Sequence, residues 1–303
     1  MGLVEKTFSQ GEVIIKEGDI GKSFFQIVKG KVGVYADYGK ADPFRIAVLE
    51  AGEFFGEMAI IEEYPRSATV VAIGTVTVIE ITEEDLNAFF SENPEQIIEL
   101  MTHIGKRVQS MTKDYEDAKA LLKQLNGAEE GKKKSLFSKI KKHIDAYQSN
   151  KNQLTDVKAD PFGEKFESLK SDRTGKTETF TAGKIFFKEG ESEFRKCMYI
   201  LKSGSVGLYK NYRKSDEEKT SEMNALSVFG EIGMITFTPR SYTAVTESDE
   251  TVVEIIYRED LEDIFRENPL KIDLILRHLS NRLRCITIDF LKVCKEITEN
   301  HGN

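Results

Sequence analysis

The sequence predicts an α+β fold made of two antiparallel β-rolls of the jelly-roll type, each followed by a long C-terminal helix. Three observations predict it: an internal repeat, runs of short strands with alternating apolar residues, and a heptad pattern after each run. The length of 303 residues suits two domains, at roughly 150 residues per domain. We place them at residues 1–125 and 166–303, joined by a linker at residues 126–165.

The composition excludes several classes of protein. A net charge of −8 and a pI near 5.3 argue against sequence-independent binding of nucleic acid, which needs a basic surface. The sequence shows neither a signal peptide nor an apolar run of the ~18 residues that a membrane helix needs, so we expect a cytoplasmic protein. Its three cysteines and four scattered histidines lack metal-ligand spacing, so no metal site is predicted.

The internal repeat indicates a duplicated domain. Four segments recur, with 8–18 returning as 180–190, 32–35 as 206–209, 55–57 as 229–231 and 65–67 as 239–241. The offset between the copies is 172 residues for the first of these pairs and 174 for the other three. Because it drifts so little, both copies are predicted to share one fold.

Each copy begins with predicted strands. Alternating apolar residues, punctuated by glycines, place the strands of the first copy at 24–28, 31–35, 45–49, 68–72 and 76–81. Short antiparallel strands at this spacing are typical of a roll or barrel. After Thr82 the pattern becomes helical, and Pro94 is predicted to open a second, longer helix.

The long helix of each copy carries a heptad pattern. The apolar positions are Met101, Ile104, Val108, Met111, Tyr115, Ala118, Leu122 and Leu125 in the first copy, and Ile272, Leu276, Leu279, Leu283, Ile286, Phe290, Val293 and Ile297 in the second. Alternating spacings of three and four residues predict a coiled-coil interface. We expect the two helices either to pair within one chain, giving a monomer, or to form a homodimer.

The linker is polar and basic, with the cluster Lys132-Lys133-Lys134. It also carries a predicted amphipathic helix with five residues on one face: Leu136, Phe137, Ile140, Ile144 and Tyr147. We expect this helix to pack on its own protein. Contact with an anionic membrane or an acidic partner is the less favoured alternative.

The segment at residues 54–69 carries the groups that suit a phosphate. Gly56 permits a tight turn, and the residues after it can form a short helix whose first N–H groups face an anion. Arg66 supplies a planar pair of donors, and Ser67 adds a hydroxyl. Glu57 repels a phosphate but accepts hydrogen bonds from hydroxyls, so a ribose beside a phosphate satisfies both residues. The alternative is that Arg66 and Glu57 simply pair with each other.

This segment resembles the phosphate-binding cassette of the cyclic nucleotide-binding domain family, and each copy as a whole resembles that domain. A Phe-Gly-Glu box is followed by a Pro-Arg-Ser box in residues 54–69 (the first cassette) and again in residues 229–243 (the second cassette). The resemblance implies an eight-stranded β-roll that holds the cyclic phosphate on the arginine and on backbone amides, with the ribose on the glutamate.

The resemblance also implies a set of binding residues. They are Gly56, Glu57, Met58, Ala59, Arg66, Ser67 and Ala68 in the first cassette, and Gly230, Glu231, Ile232, Gly233, Arg240 and Ser241 in the second. Thr112 and Thr287 match the place where catabolite-activator-like members contact the adenine from their long helix. The alternative is that both are solvent-facing helix threonines with no contact to a ligand. The second cassette departs from the family at Gly233 and Tyr242, where Ala is usual. We expect Gly233 to make the short helix less ordered, because glycine has a low helix propensity. We expect Tyr242 to crowd the pocket if its side chain points inward.

In function, the resemblance implies a non-catalytic sensor of cyclic nucleotides, without an output domain, that signals to an effector protein by helix rearrangement. Cyclic AMP is favoured over cyclic GMP, because members selecting the guanine nucleotide often place Thr where this chain has Ser67 and Ser241. No catalytic arrangement of residues stands out, so no enzyme is expected. The rival interpretation is a scaffold that binds no nucleotide and keeps the cassettes only as elements of the fold.

Overall fold

The structure, a computed structural model, describes most of the chain. The described residues are 4–21, 23–36, 38–39, 43–56, 66–82, 84–85, 89, 94–127, 137–150, 154, 166–172, 175–192 and 197–301. The chain forms two compact units. The first unit holds residues 1–89, 107–158 and 280–303, and the second unit holds residues 90–106 and 159–279. Each unit therefore contains one β-roll together with parts of the long helices.

The first roll is a single antiparallel sheet. Its strands are β1 (Val4–Phe8), β2 (Val13–Ile15), β3 (Ser23–Ala36), β4 (Phe44–Glu50), β5 (Phe54–Phe55) and β6 (Thr69–Thr82). The order is β1-β6-β3-β4, with β2 paired to β6 and β5 paired to β3. β3 and β6 run side by side over their whole lengths, from Ser23 opposite Thr82 to Tyr35 opposite Thr69.

The prediction of separate strands at 24–28 and 31–35, and at 68–72 and 76–81, is wrong for the first roll. Each pair forms one strand, β3 or β6. Gly30, predicted to end a strand, has φ 93° and lies where the register with β6 shifts. A bulge of this kind bends a strand without ending its pairing.

The second roll keeps the corresponding strands apart. Its strands are β7 (Lys176–Phe180), β8 (Ile185–Phe187), β9 (Cys197–Ser203), β10 (Val206–Lys210), β11 (Glu218–Met223), β12 (Val228–Phe229), β13 (Thr243–Thr246) and β14 (Thr251–Tyr257). They form two four-stranded sheets, β11-β10-β13-β8 and β12-β9-β14-β7. Within its described residues this roll has the eight strands that the family resemblance implies.

Each roll has an equivalent stacked aromatic pair in its core. In the first roll Phe25 stacks on Phe55, with ring centres 5.1 Å apart. In the second roll Tyr199 stacks on Phe229 at 4.9 Å. Both pairs join the long central strand to the short strand that leads into the cassette, so the same aromatic contact fixes the start of each cassette.

The helices are α1 (Pro94–Asn126), α2 (Phe137–Asn150), α3 (Glu167–Ser171), α4 (Glu231–Thr236), α5 (Leu261–Glu267) and α6 (Pro269–His301). A single 3₁₀ turn, Arg258–Asp260, precedes α5. The predicted opening of the long helix at Pro94 is confirmed, and Pro269 opens its counterpart. The predicted α+β fold, with a long helix after each roll, is also confirmed.

In the first unit the C-terminal halves of α1 and α6 pack together with α2. The buried residues of this cluster are Ala118, Leu121, Leu125, Ile140, Phe290, Leu291, Cys294 and Ile297. Leu121 and Leu291 lie outside the predicted heptad positions. The apolar stripes are wider than a two-helix coiled coil requires, because the linker helix α2 packs into the same cluster. The apolar face of α2 is thus covered by its own chain.

A buried ionic cluster lies in the second unit. Lys202 on β9 and Lys271 on the first turn of α6 both contact the carboxylate of Glu254 on β14, at 2.7 and 2.6 Å. Lys271 also contacts Asp172, just after α3, at 3.0 Å, and Lys202 donates a hydrogen bond to the carbonyl of Leu169. The cluster therefore ties α3 and the start of α6 to the roll. Burial lowers the pKa of Lys202. The pKa of Lys271 is raised instead, because its two carboxylate partners, Glu254 and Asp172, outweigh the effect of burial.

Among the described residues, no helix combines the length and the apolar character that crossing a membrane requires.

Candidate functional site

The second cassette begins with a turn that requires glycine. Gly230 follows β12 and has φ 77°, in the left-handed region that favours glycine. A Cβ at this position would lie 3.0 Å from Nη1 of Arg240 and 3.1 Å from the Phe187 ring. Both the backbone conformation and the tight space around it therefore disfavour a side chain here.

Arg240 is fixed beside that turn. Its Nη1 donates a hydrogen bond to the carbonyl of Gly230, and its Nη2 donates one to the carbonyl of Cys197 at 3.0 Å. The guanidinium carbon lies 4.4 Å from the centre of the Phe187 ring. The residue is 6% exposed, so its cation is held mainly by backbone carbonyls and an aromatic face. Such a guanidinium is preorganised to receive an anion.

The backbone of Arg240 is held as well. Its N–H donates to the carbonyl of Glu191 at 3.0 Å, and its own carbonyl accepts from the N–H of Gly190 at 2.8 Å. These two bonds tie the Pro-Arg-Ser box to the glycine turn after β8. The end of the repeated segment 180–190, together with Glu191, thus positions the arginine through backbone hydrogen bonds.

The short helix α4 follows Gly230 directly. Glu231 is fully buried in its first turn, and Ile232 is nearly so. A Cβ on Gly233 would lie 3.2 Å from Cδ of Arg240 and 3.3 Å from the carbonyl oxygen of Thr238. The missing side chain therefore leaves room for the arginine to lie against the helix. This gives Gly233 a packing role besides its expected cost in helix order.

The first cassette repeats this geometry. Gly56 has φ 79°, and a Cβ there would lie 2.9 Å from Nη1 of Arg66. Arg66 donates from Nη1 to the carbonyl of Gly56 at 2.9 Å and from Nη2 to the carbonyl of Ser23 at 2.6 Å. Its N–H donates to the carbonyl of Asp19 at 2.9 Å, and its carbonyl accepts from the N–H of Gly18. The arrangement matches that of Arg240 bond for bond.

Several predicted residues of the first cassette lie outside the described part of the chain: Glu57, Met58 and Ala59, with residues 60–65. Ser67 and Ala68 are described and are half-buried. In the second cassette Ser241 is exposed. Tyr242 packs at the edge of the apolar core of the second roll, with the Lys210 ammonium 4.9 Å from its ring centre.

The positive charge of Arg66 reaches beyond its hydrogen bonds. Burial alone would raise the pKa of Glu80 on β6, but hydrogen bonds from Lys6 and Ser23, and the charges of Lys6 and Arg66, lower it below its usual value. The Ser23 hydroxyl donates to Glu80 at 2.7 Å, while the Ser23 carbonyl accepts from Arg66. Ser23 thus links the arginine to an ionised carboxylate.

Sequence reasoning missed the groups that hold the two arginines. The carbonyls of Ser23 and Cys197 do not depend on side-chain identity, so no motif marks them. The repeat itself carried a signal, because Ser23 and Cys197 are separated by the same 174 residues as the two arginines. The aromatic support of Arg240 by Phe187 has an aliphatic counterpart in the first roll, where Ile15 lies beside Gly56.

Within the described ranges, no three histidine, cysteine, aspartate or glutamate side chains cluster closely enough to hold a metal ion.

Comparison with known proteins identifies both rolls. The family model described as "Cyclic nucleotide-binding domain" matches residues 5–93 and 177–268, which is more than half of the chain. The chain belongs to the cyclic nucleotide-binding domain family. Both cassettes lie inside the matched ranges, so the two arginine sites occupy one cyclic nucleotide-binding domain each.

Curated relatives match parts of this chain. The cAMP-dependent protein kinase regulatory subunit of Dictyostelium discoideum is 36% identical over 83 residues, which cover 26% of this chain and 25% of the relative. The cyclic AMP receptor protein of Thermus thermophilus is 28% identical over 104 residues, covering 34% of this chain and 48% of the relative. The chain thus spans between a quarter and a half of the lengths of these two relatives.

A solved structure of the regulatory domain of Toxoplasma gondii PKA with cAMP matches 89% of this chain and 86% of its own, at 18% identity and a TM-score of 0.27.

Thr112 and Thr287, the predicted base contacts of the two cyclic nucleotide-binding domains, lie on α1 and α6. The Thr112 hydroxyl donates to the carbonyl of Val108 at 2.7 Å, and the Thr287 hydroxyl donates to the carbonyl of Leu283 at 2.7 Å. Both hydroxyls thus bond within their own helices, and each is part-buried. Their contact with a nucleotide base stays a prediction.

Proposed function

We propose that this protein is a non-catalytic sensor that binds cyclic AMP at both cassettes and signals to an effector protein through its long helices. The observation that carries the proposal is the repeated arginine geometry, in which Arg66 and Arg240 are buried at equivalent positions on equivalent backbone carbonyls. Two guanidinium groups held in the same way at matched positions of a duplicated domain favour a shared ligand, because a planar, preorganised guanidinium suits a phosphate.

The ligand chemistry follows from the groups beside each arginine. A cyclic phosphate carries one negative charge, and its oxygens suit the two parallel donors of a guanidinium. In the second cassette the first turn of α4 adds backbone N–H groups near the same point. Glu231 and its counterpart Glu57 would accept hydrogen bonds from the ribose hydroxyl. Support for a cyclic nucleotide also comes from the two curated relatives, both of which are named for cAMP.

We favour cyclic AMP over cyclic GMP because Ser67 and Ser241 follow the arginines. Family members that select the guanine nucleotide often place Thr there. The preference is tested by competition between the two nucleotides for the same sites.

Output would require a shift between two conformations that bind the nucleotide with different affinities. The long helices are the natural carriers, because each begins beside a roll and continues into the helix cluster of the first unit. A change at a cassette would then alter what the helices present to an effector.

The helix cluster also supports a monomer in which α1 and α6 pair within one chain. Light scattering tests this, because a monomer has a mass of 34.3 kDa and a homodimer has twice that mass. A monomeric mass at micromolar concentration supports pairing within the chain, and a dimeric mass supports pairing between chains.

Titration calorimetry of nucleotide-stripped protein tests the binding function. We expect saturable heat with cyclic AMP, weaker binding of cyclic GMP and none of 5′-AMP, which carries the same base without the cyclic phosphate. Absence of binding by either cyclic nucleotide would leave the rival, a scaffold that keeps the cassettes only for folding.

A further inference from the structure

The N-terminal part of α1 belongs to the second unit, although it follows the first roll in the chain. Residues 90–106 form one compact unit with residues 159–279, which include the second cassette. Four apolar side chains of this part of α1 are completely buried: Ile97, Leu100, Met101 and Ile104. The helix is therefore integral to the unit that holds the second site.

Gly105 marks the contact between α1 and α4. A Cβ at Gly105 would lie 3.1 Å from Cγ2 of Thr236, 3.6 Å from Cγ2 of Ile235 and 3.9 Å from Cδ1 of Ile232. All three residues belong to α4, so the two helices approach each other closely at this glycine. A glycine inside a helix costs about 1 kcal/mol relative to alanine, and this close approach gives a packing reason for tolerating that cost at Gly105.

The other end of this contact is the nucleotide site. α4 begins at Glu231, directly after the turn at Gly230, and Arg240 lies against it at Gly233. α4 has only six residues, so we expect a displacement at Thr236 to reach its first turn. At its C-terminal end, Phe237 adopts a left-handed conformation with φ 59°, and the Arg258 guanidinium lies 4.4 Å from its ring centre.

We infer that Gly105 is a positioning residue for the second nucleotide site, so that the helix which follows the first repeat supports the cassette of the second. This rests on the proposed function, because it requires that the second cassette binds a cyclic nucleotide. It adds a route by which the first repeat influences nucleotide binding at the second, because a movement of α1 would change its contact with α4. The partner that packs on this face of α4 is thus the N-terminal part of α1, in the same chain.

The test measures each site alone. In an Arg66→Ala background only the second cassette is intact, and in an Arg240→Ala background only the first. We expect Gly105→Ala to weaken cyclic AMP binding at the second site by about three- to tenfold, because the added methyl group pushes against Thr236. Binding at the first site should not change. A purely structural effect would be the opposite, since alanine strengthens a helix.

A compensating variant identifies the contact itself. Thr236→Ser removes the methyl group that faces Gly105 and keeps the hydroxyl, which donates to the carbonyl of Ile232 at 2.7 Å. In a Thr236→Ser background we expect Gly105→Ala to have little further effect on affinity. Lys106→Ala, at the exposed neighbouring position of α1, is the matched control.

Three results overturn the inference. The first is a second-site affinity that Gly105→Ala leaves within about twofold of its starting value. The second is an equal loss at both sites, and the third is the same loss with and without Thr236→Ser. If the unsubstituted protein binds one cyclic nucleotide per chain and the Arg66→Ala protein binds none, binding at the second cassette is refuted, and this inference falls with it. If it binds normally and Gly105→Ala is silent, only the inference falls.

Discussion

The two repeats hold their arginines on the same backbone carbonyls but differ in neighbouring side chains. Arg66 and Arg240 each donate to a glycine carbonyl and to a strand carbonyl. The ring of Phe187 lies beside Arg240, whereas the equivalent position of the first repeat is Ile15, which lies beside Gly56. The comparison teaches that backbone carbonyls set the position of the arginine in both repeats. The side chains that support the arginine can differ, because the backbone acceptors do not depend on residue identity.

A pair of glutamates shows the same divergence further from the site. Glu80 and Glu254 occupy equivalent positions, 174 residues apart, on β6 and β14. Glu80 is paired with the exposed Lys6 and with Ser23. Glu254 is completely buried between Lys202 and Lys271. The position of Lys202 is taken in the first repeat by Val28, so the buried cluster is a property of the second repeat alone.

The largest effect is expected from Glu254→Gln. This change keeps the shape of the side chain but leaves two buried lysines without their shared carboxylate, so it should lower the free energy of unfolding by about 3–5 kcal/mol. Glu80→Gln is the matched control, and because its partner Lys6 is exposed, about 1 kcal/mol or less is expected. Urea denaturation followed by circular dichroism measures both. Equal losses would show that the two carboxylates are equivalent.

Removing either arginine should have the next largest effect. Truncating a buried, hydrogen-bonded charge costs about 2–4 kcal/mol of binding energy, which weakens cyclic AMP binding about 30- to 1,000-fold. Arg66→Ala and Arg240→Ala should each abolish one of two sites in calorimetry and leave the other. A variant that loses both sites would show that the repeats do not bind independently.

Glycines in the turns provide a smaller and cleaner test. Gly230→Ala must adopt a positive φ and also crowd Arg240, whereas Gly183→Ala meets only the strain, because nothing lies within 4 Å of its Cβ. Strain alone costs about 1–2 kcal/mol, and crowding adds about 1 kcal/mol or more. We expect only Gly230→Ala to weaken nucleotide binding, and Gly56→Ala against Gly11→Ala should repeat the contrast. Equal effects on binding within a pair would contradict the packing argument.

The smallest effect concerns pH. Glu247 on the second roll accepts hydrogen bonds from Tyr209 and Lys219, whereas the first repeat has Ile73 there. Burial would raise the pKa of Glu247, but these two bonds lower it below its usual 4.5. The same contact raises the pKa of Tyr209 to about 12.

A carboxylate whose pKa is lower in the folded state than in the unfolded state stabilises the fold at pH values above its unfolded-state pKa. This contribution is lost as the pH falls through the folded-state pKa. Glu247→Gln should therefore reduce the difference in stability between pH 7 and pH 3, by about 1 kcal/mol or less. Urea midpoints at the two pH values measure it. An unchanged difference would mean that Glu247 gains nothing from its partners.

Sequence patterns predicted the repeat, the roll, the two long helices and the arginine sites, because each depends on residue types at regular spacings. They failed where structure depends on the third dimension. The break predicted near Gly30 became a bulge, since pairing with β6 continues past it. Gly105 carried no motif, because the reason for a glycine there lies on a helix more than a hundred residues away in the chain. No motif marked Lys202 and Lys271, because their shared partner Glu254 is distant from both in sequence.

The most direct test of the central claim is the number of cyclic AMP molecules bound per chain. Calorimetry or equilibrium dialysis on the nucleotide-stripped 303-residue chain should give two, since both repeats present the same buried arginine on equivalent backbone carbonyls. One molecule per chain would show that the shared geometry is not sufficient for binding. None, with cyclic GMP also unbound, would contradict the sensor altogether.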